Sequence, residues 1–201
     1  MISLDDKYDF SFTASSLRLN EMLVVAHATI DGVEVDYTND LGSGKSSTGK
    51  RMLLEFNKRI KNLTPDQLNL LVNSDITTQK QLALIAMCKS YGFIRDFIIE
   101  VLREKMMVYD YQITEGDYIS FYRRKFEFHD EMEKLTDLSE KKIKQVTFKV
   151  LEQAGIIDSI KTKNIQPQFV DFKLIDAVIS DNPIWLKILL MSDADIQRAI
   201  H

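Results

Sequence analysis

Eight residues come close to a phosphate-binding pattern. Asn39-Asp-Leu-Gly-Ser-Gly44-Lys45-Ser46 matches G-x-x-x-x-G-K-S except at its first position, where Asn39 stands in place of glycine. That pattern works when a buried strand feeds it, so that backbone amides and a helix N-terminus converge on phosphate. Here the preceding Val33-Glu-Val-Asp-Tyr37 is short and half charged, and no later apolar strand ends in an aspartate placed to hold magnesium. Residues 42–47 therefore read as a flexible, basic helix entry, with nucleotide binding through Lys45 as the alternative. Other reactive types are sparse. His27, His129 and His201 are far apart and, with a single cysteine, make no metal-ligand spacing. His27, among Val24, Val25, Ala26 and Ala28, reads as a packed side chain, and Cys88, beside Ala86 and Met87, as a buried structural thiol. Asp130, Glu131 and Glu133 read as a solvated face. These residues imply no catalytic group, metal or cofactor, and the expectation is a protein that is not an enzyme.

The lysines are distributed unevenly. The chain carries a formal net charge of −4. Yet residues 41–63 hold Lys45, Lys50, Arg51, Lys58, Arg59 and Lys61 against Glu55 alone, and residues 139–163 hold Lys141, Lys142, Lys144, Lys149, Lys161 and Lys163 against Glu140, Glu152 and Asp158. Segregated charge offers a polyanion a local attractive surface while the whole stays soluble.

Two helices must position these cations. One is expected to start among Ser46, Ser47 and Thr48 and to end near Leu63, with Leu53, Phe56, Ile60 and Leu63 at helical spacing. At about 100° per residue, Lys50, Arg51, Lys58 and Lys61 share an arc of about 100° opposite that apolar face. The other is expected from a Ser139 cap to Ala154, stopped by Gly155. Ile143, Val146, Val150 and Ala154 make its apolar stripe; Lys142, Gln145 and Lys149 face outward, with Lys141 at their edge. Residues 156–167, carrying Lys161 and Lys163, could then be extended. A basic helix, a glycine stop and a short basic arm follow the order of a winged helix, where Gln145 reads an adenine edge and lysines meet phosphates or guanine. A solvated amphipathic face is the plain alternative for both helices.

The rest of the chain predicts an all-α, compact multi-helix protein, with a small winged-helix-like β element near 156–167. Glycine and proline number only 7 and 3, too few for the turns of a sandwich or barrel. Residues 1–12 are acidic and aromatic. Thr13, Ser15 or Ser16 is expected to cap a helix to about Ile30; Thr64-Pro65 restarts the chain into a short helix; and residues 77–108 form a central, nearly all-apolar pair split at Gly92. A helix from Thr114 to about Lys125, a short segment at His129–Leu135, and helices near 168–180 and 183–191 complete the pattern. The expected organisation is an N-terminal helical subdomain over 1–130 and a C-terminal, winged-helix-like one over 131–201. One cysteine fits a reducing cytoplasm. No signal peptide is expected, and no uncharged apolar run reaches the roughly 18 residues of a membrane span.

Four stretches, in order, resemble the BrxA family of bacteriophage exclusion (BREX) systems. They are Phe10-Ser-Phe12-Thr13-Ala14-Ser15-Ser16-Leu17; the Ser47-to-Leu63 helix followed by Thr64-Pro65; Cys88-Lys-Ser-Tyr91-Gly92-Phe93-Ile-Arg-Asp96-Phe97 with Glu100-Val-Leu102-Arg-Glu-Lys105; and Lys144-Gln145-Val146-Thr-Phe148-Lys-Val-Leu151-Glu-Gln-Ala154-Gly155-Ile156. Gly92 stands where the family pattern suggests proline. The resemblance implies a small, helical, non-enzymatic phage-defence protein with cytoplasmic partners that include a DNA methyltransferase and other system proteins. It agrees with double-stranded DNA binding, and a likeness to NusB-type folds keeps RNA open. Lys45, Lys50, Arg51, Lys58, Lys61, Lys141, Lys142, Gln145, Lys149, Lys161 and Lys163 are the candidate contacts. A scaffold whose lysine faces meet acidic proteins is the competing expectation. A monomer with no membrane association is expected.

Overall fold

The computed structural model describes residues 7–201; the first six residues of the acidic N-terminal stretch lie outside them. The fold is all-α. After a 3-10 turn at Ser11–Ala14 come α1 (Leu19–Asp31), a π-helical turn at Tyr37–Leu41, α2 (Ser46–Ile60), α3 (Pro65–Asn73) and α4 (Ile76–Ser90). Then follow α5 (Gly92–Phe97), a π-helical stretch at Ile98–Arg103, α6 (Glu104–Met107), α7 (Glu115–Phe126) and a 3-10 turn at Asp130–Lys134. α8 (Asp137–Ala154), α9 (Phe172–Ile179), a 3-10 segment at Pro183–Leu189 and α10 (Asp193–Ile200) close the chain.

Local chemistry sets most boundaries. Thr64 and Gln67 form a reciprocal capping box with Pro65 in the first turn of α3, and Thr114 with Asp117 does the same for α7. Asp75 caps α4 through the amides of Thr77 and Thr78. α8 begins earlier than expected: Thr136 is its cap and Ser139 the residue whose amide it receives. Gly155 ends α8 in the left-handed region, at φ 74°, which L side chains enter at a cost. α10, which the sequence pattern did not suggest, is capped by Ser192 accepting from the amide of Asp195.

α4 is the central rod. Leu82, Ala83, Leu84, Ile85, Ala86, Met87 and Cys88 are all fully buried, so the helix has no wide polar face. Each large aliphatic side chain there contributes about 1.5–3 kcal/mol on leaving water. Tyr91, at φ −134° and ψ 98°, breaks the rod before α5. One continuous cluster of buried hydrophobic residues reaches from Tyr8 to Ile196. Within it Phe93 meets Tyr8, Phe10 and Phe121 at ring distances of 5.5, 5.6 and 5.3 Å, tying the N-terminal segment to α5 and α7.

Residues 156–167 are not a strand pair. They form a hairpin-like loop with an isolated antiparallel bridge between Ile157 and Ile165; a second bridge joins Gln112 to Asn164. The Asp158 carboxylate pins the loop by accepting from the amides of Ser159 and Asn164. No ladder extends it, because Lys163 turns into the left-handed region at φ 56°.

Two buried polar clusters stitch these elements together. In the first, the Arg59 side chain of α2 is fully buried and donates to the carbonyls of Ser16 at 2.8 Å and Ser15 at 2.5 Å. Beside it, Glu55 accepts from the hydroxyls of Tyr91 and, at 3.2 Å, Ser11. Burial first, then the balance of Arg59 and Glu55, pushes the Tyr91 hydroxyl up to about 12. In the second, Asp96 accepts from Tyr8 Oη at 2.7 Å, Arg95 Nε at 2.9 Å and Lys125 Nζ at 3.0 Å. Burial alone would raise its pKa; Arg95, Tyr8 and Lys125 outweigh it and hold the carboxyl below the usual range.

Both clusters are testable in denaturant. Arg59→Ala leaves the Ser15 carbonyl buried without its donor and the half-buried Ser16 carbonyl with only the Ser15 hydroxyl at 3.3 Å. Each charge-assisted bond is worth about 1.5–3 kcal/mol, so urea unfolding is expected to show a loss of about 3 kcal/mol. Arg59→Lys is expected to recover less than half, since one ammonium does not reproduce the two-pronged fork. Asp96 gives a pH dependence. Its folded pKa lies below its unfolded value, so its contribution is present at neutral pH and is lost as pH falls below about 4. Asp96→Asn is expected to be less stable at pH 7 and to show a flatter stability–pH curve on the acid side, read from unfolding midpoints across pH.

Candidate nucleic-acid interface

Segment 9–18 is the seam between the two basic helices. Passing from Asp9 to Ala14 it meets Lys58, then Glu55, then Thr48 and Arg51 of α2. On its other side Phe10 and Thr13 share a shallow groove with Leu138, Lys142 and Ile143 of α8, and the Arg18 amide donates to Gln153 Oε1 at 3.4 Å. The helices therefore run in opposite directions along the two sides of one segment, which the Arg59 fork holds down. Beyond α8 lies the hairpin: Glu152 accepts from the Ile160 amide at 3.1 Å. Gln153 turns toward the seam and Glu152 toward the hairpin, so the outward arc of α8 lies between them.

The structure places the expected cations unequally. Arg51 is exposed at the seam, and Lys142 faces it from α8. Lys50 and Lys61 are exposed on the outer arc of α2 with Leu54, itself 63% exposed. Lys45 is exposed at the N-cap of α2, and Lys161 at the tip of the hairpin. Gln145 is exposed, its amide oxygen 3.4 Å from Lys142 Nζ. Lys141 turns away from the seam, toward a groove shared with α7. None of Lys45, Lys50, Arg51, Lys61, Lys141, Lys142 and Lys161 forms an ion pair among the described residues.

Others are already matched by carboxylates. Lys58 pairs with Asp9 and sits 4.6 Å from the centre of the Tyr91 ring. Burial pushes Asp9 up, but Lys58 and Ser11 hold it below the ordinary carboxylate range. Lys149 pairs with Glu152 at 2.6 Å, and that bond is the main cause of the lowered Glu152 pKa. Lys163 folds inward, 4.8 Å from the Phe148 ring and 4.0 Å from Glu115, whose first partner is Lys144. These lysines meet a polyanion only at the expense of a local pair.

Arg18 escaped the sequence reading. It is exposed at the seam, in the left-handed region at φ 46°, with its guanidinium 3.1 Å from Met52 Sδ and 3.4 Å from Glu21. Its place after Ser15-Ser16-Leu17 marked a capped helix start, and nothing local signalled the left-handed turn. His27 is exposed rather than packed: Met22, Val25 and Ala26 supply the buried face of α1. Cys88 is fully buried, and burial pushes its thiol far up, so it is inert.

The near-match to a phosphate loop has another cause. Its first three residues lie inside a π-helical turn, and Asn39 is tied to Asp36 by a 2.6 Å side-chain bond. Gly42, within the near-match, lies so close to the start of α2 that a Cβ would meet the Lys45 carbonyl oxygen at 2.3 Å, and a Cβ on Gly49 would meet the Tyr37 carbonyl oxygen at 1.8 Å. Close packing of the turn on α2 accounts for glycine at both positions. Among the described residues no group of histidine, cysteine and acidic side chains is placed to hold a metal, and no helix is long and apolar enough to cross a membrane.

The chain is similar to known proteins in two comparisons. A crystal structure of an uncharacterized protein from Magnetospirillum magneticum superposes with a TM-score of 0.78, covering 92% of this chain and 99% of that one at 15% identity, which establishes a shared fold. No curated protein matches. Residues 6–182 match the family described as BrxA, a span that takes in α1 to α9, both basic helices, the seam and the hairpin. On that span, the chain belongs to the BrxA family, whose members are proteins of bacteriophage exclusion defence systems.

Proposed function

We propose that the chain is a non-enzymatic accessory subunit of its defence system that binds double-stranded DNA across α2, the seam and α8. The observation that carries this reading is the seam itself: two helices with exposed, unpaired cations flank one segment, with Arg51 and Lys142 facing it from opposite sides. Lys50 and Lys61 extend the surface outward on α2, and Lys161 extends it past α8. Lysines spaced along helices neutralise phosphates without reading bases, and counterion release drives such binding. Gln145 is the group on α8 suited to a base edge. The chain acts in the cytoplasm, alongside the system's methyltransferase, as a monomer.

Fluorescence anisotropy with a labelled duplex across salt tests this. Affinity is expected to fall linearly on a log–log plot, and each of Lys50→Glu, Lys61→Glu and Lys142→Glu is expected to weaken binding and to reduce the slope by about one. Lys163→Glu, at a side chain already folded onto Glu115, is expected to change it little. A slope near zero, or unchanged binding in all three surface variants, rejects the interface. A matched RNA duplex in competition decides between DNA and RNA.

A scaffold role is the second reading. Phe169 and Phe172, 86% and 66% exposed just before and at the start of α9, favour it. A Phe169→Ser, Phe172→Ser double variant is expected to lose co-purification with the system's methyltransferase while keeping the duplex affinity. Retained co-purification rejects these phenylalanines as the contact.

A further inference from the structure

The groove between α7 and α8, on the far side of α8 from the seam, holds a cavity of about 570 Å³. Small-ligand sites span roughly 300–1,000 Å³. Tyr118, Tyr122, Ile119 and Phe126 line it from α7; Glu140 and Lys141 line it from α8. The Tyr118 and Tyr122 rings stack with centres 6.1 Å apart. Their hydroxyls are sealed from solvent and find no hydrogen-bond partner among the described residues. The Glu140 carboxylate lies beside the Tyr122 hydroxyl without closing a well-formed bond to it. Tyr118 itself is 5% exposed, so its hydroxyl is a buried polar group left unpaired, an uncommon and costly arrangement.

The rim carries both signs. Glu115 and Lys144 are already paired with each other, which leaves Arg123 and Lys141 as cations, and Glu127 and Glu140 as anions, outside any ion pair among the described residues. A purely apolar ligand would leave these charges unused. A bare anion would leave the aromatic wall unused and meet two carboxylates. A flat heteroaromatic ring with an amine and a phosphate uses each part: the ring meets Tyr122 and Phe126, with Tyr118 buried behind them under Lys144, the amine meets Glu140, and the phosphate meets Arg123 and Lys141.

We propose that this groove binds a single nucleotide, its base against the α7 aromatics and its phosphate on Arg123 and Lys141. The same chemistry comes from a free mononucleotide or from a nucleotide unpaired in a strand. Lys141 stands at the edge of both the groove and the outward face of α8, so a strand lying on α8 has its neighbouring nucleotide within the groove's reach. The free-nucleotide form of the proposal stands apart from the duplex reading.

The test is calorimetric titration of the full chain with each of the four 2′-deoxynucleoside 5′-monophosphates, and anisotropy with a duplex carrying one unpaired nucleotide against the fully paired duplex. Ile119→Trp, at an exposed position, fills the groove; Arg123→Glu removes a phosphate partner. Saturable binding of at least one monophosphate, with the parent nucleoside about tenfold weaker and both variants about tenfold weaker or worse, supports a free-nucleotide site. Preference for the unpaired duplex that Ile119→Trp abolishes, with no monophosphate binding, supports a strand-borne one. Absence of saturable monophosphate binding together with equal affinity for the two duplexes overturns the proposal, as does binding that Ile119→Trp leaves unchanged. Failure of any duplex to bind removes the α2–α8 reading, and the monophosphate titration then decides the groove alone.

Discussion

A cation buried where water cannot reach it governs the arrangement of this protein's surface. Arg59 has no accessible surface, and its two terminal nitrogens are taken by consecutive carbonyls of the N-terminal segment. A buried charge persists only where dipoles or counter-charges replace its hydration. The Ser15 and Ser16 carbonyls, the Phe56 and Tyr91 rings and the nearby Glu55 supply that replacement. The segment must therefore lie where it does, across α2, and α8 packs against its other side. Two helices about ninety positions apart in sequence flank one segment because that piece of chain is fixed between them.

Coulomb balance then divides the lysines into two populations. Lys58, Lys149 and Lys163 have partners, and their charge is largely spent inside the molecule. Lys50, Arg51, Lys61, Lys142 and Lys161 are exposed with no such partner among the described residues. Exposed pairs are worth little, about 0–1 kcal/mol, so a phosphate can displace a carboxylate at Lys58 or Lys149. The unpartnered group sets the local positive potential around α2 and α8. Acidic residues elsewhere keep the net charge at −4.

How far the sequence carried the structure depended on the range of the deciding interaction. Thr64, Thr114 and Gly155 act within four residues of themselves, and each performs the role its type and spacing suggested. The all-apolar run of α4 likewise required a central position. The start of α1 was misread because Ser15 and Ser16 look like caps, whereas their carbonyls are bound by an arginine 44 and 43 residues later. Lys163 was read as a phosphate contact, but a left-handed backbone turn and the distant Glu115 draw it inward. The α7–α8 cavity had no local signature at all: Tyr118, Ile119, Tyr122 and Phe126 of α7 are an ordinary helical stripe until α8 is placed opposite them.

The π-helical stretch at Ile98–Arg103 has a consequence of a different kind. A π turn accommodates an extra residue relative to an α turn. Arg103, 4% exposed, leaves that stretch with its Nε donating to the Met191 carbonyl at 2.8 Å, just ahead of α10. Remove one residue from the wider turn, and ordinary helical winding resumes with everything downstream swung by about 100°. Arg103 then faces away from the chain terminus it secures. The buried Ile98 and Leu102 restrict the side chains this stretch accepts, and its length is held as firmly, because an insertion or deletion would turn Arg103 off the Met191 carbonyl.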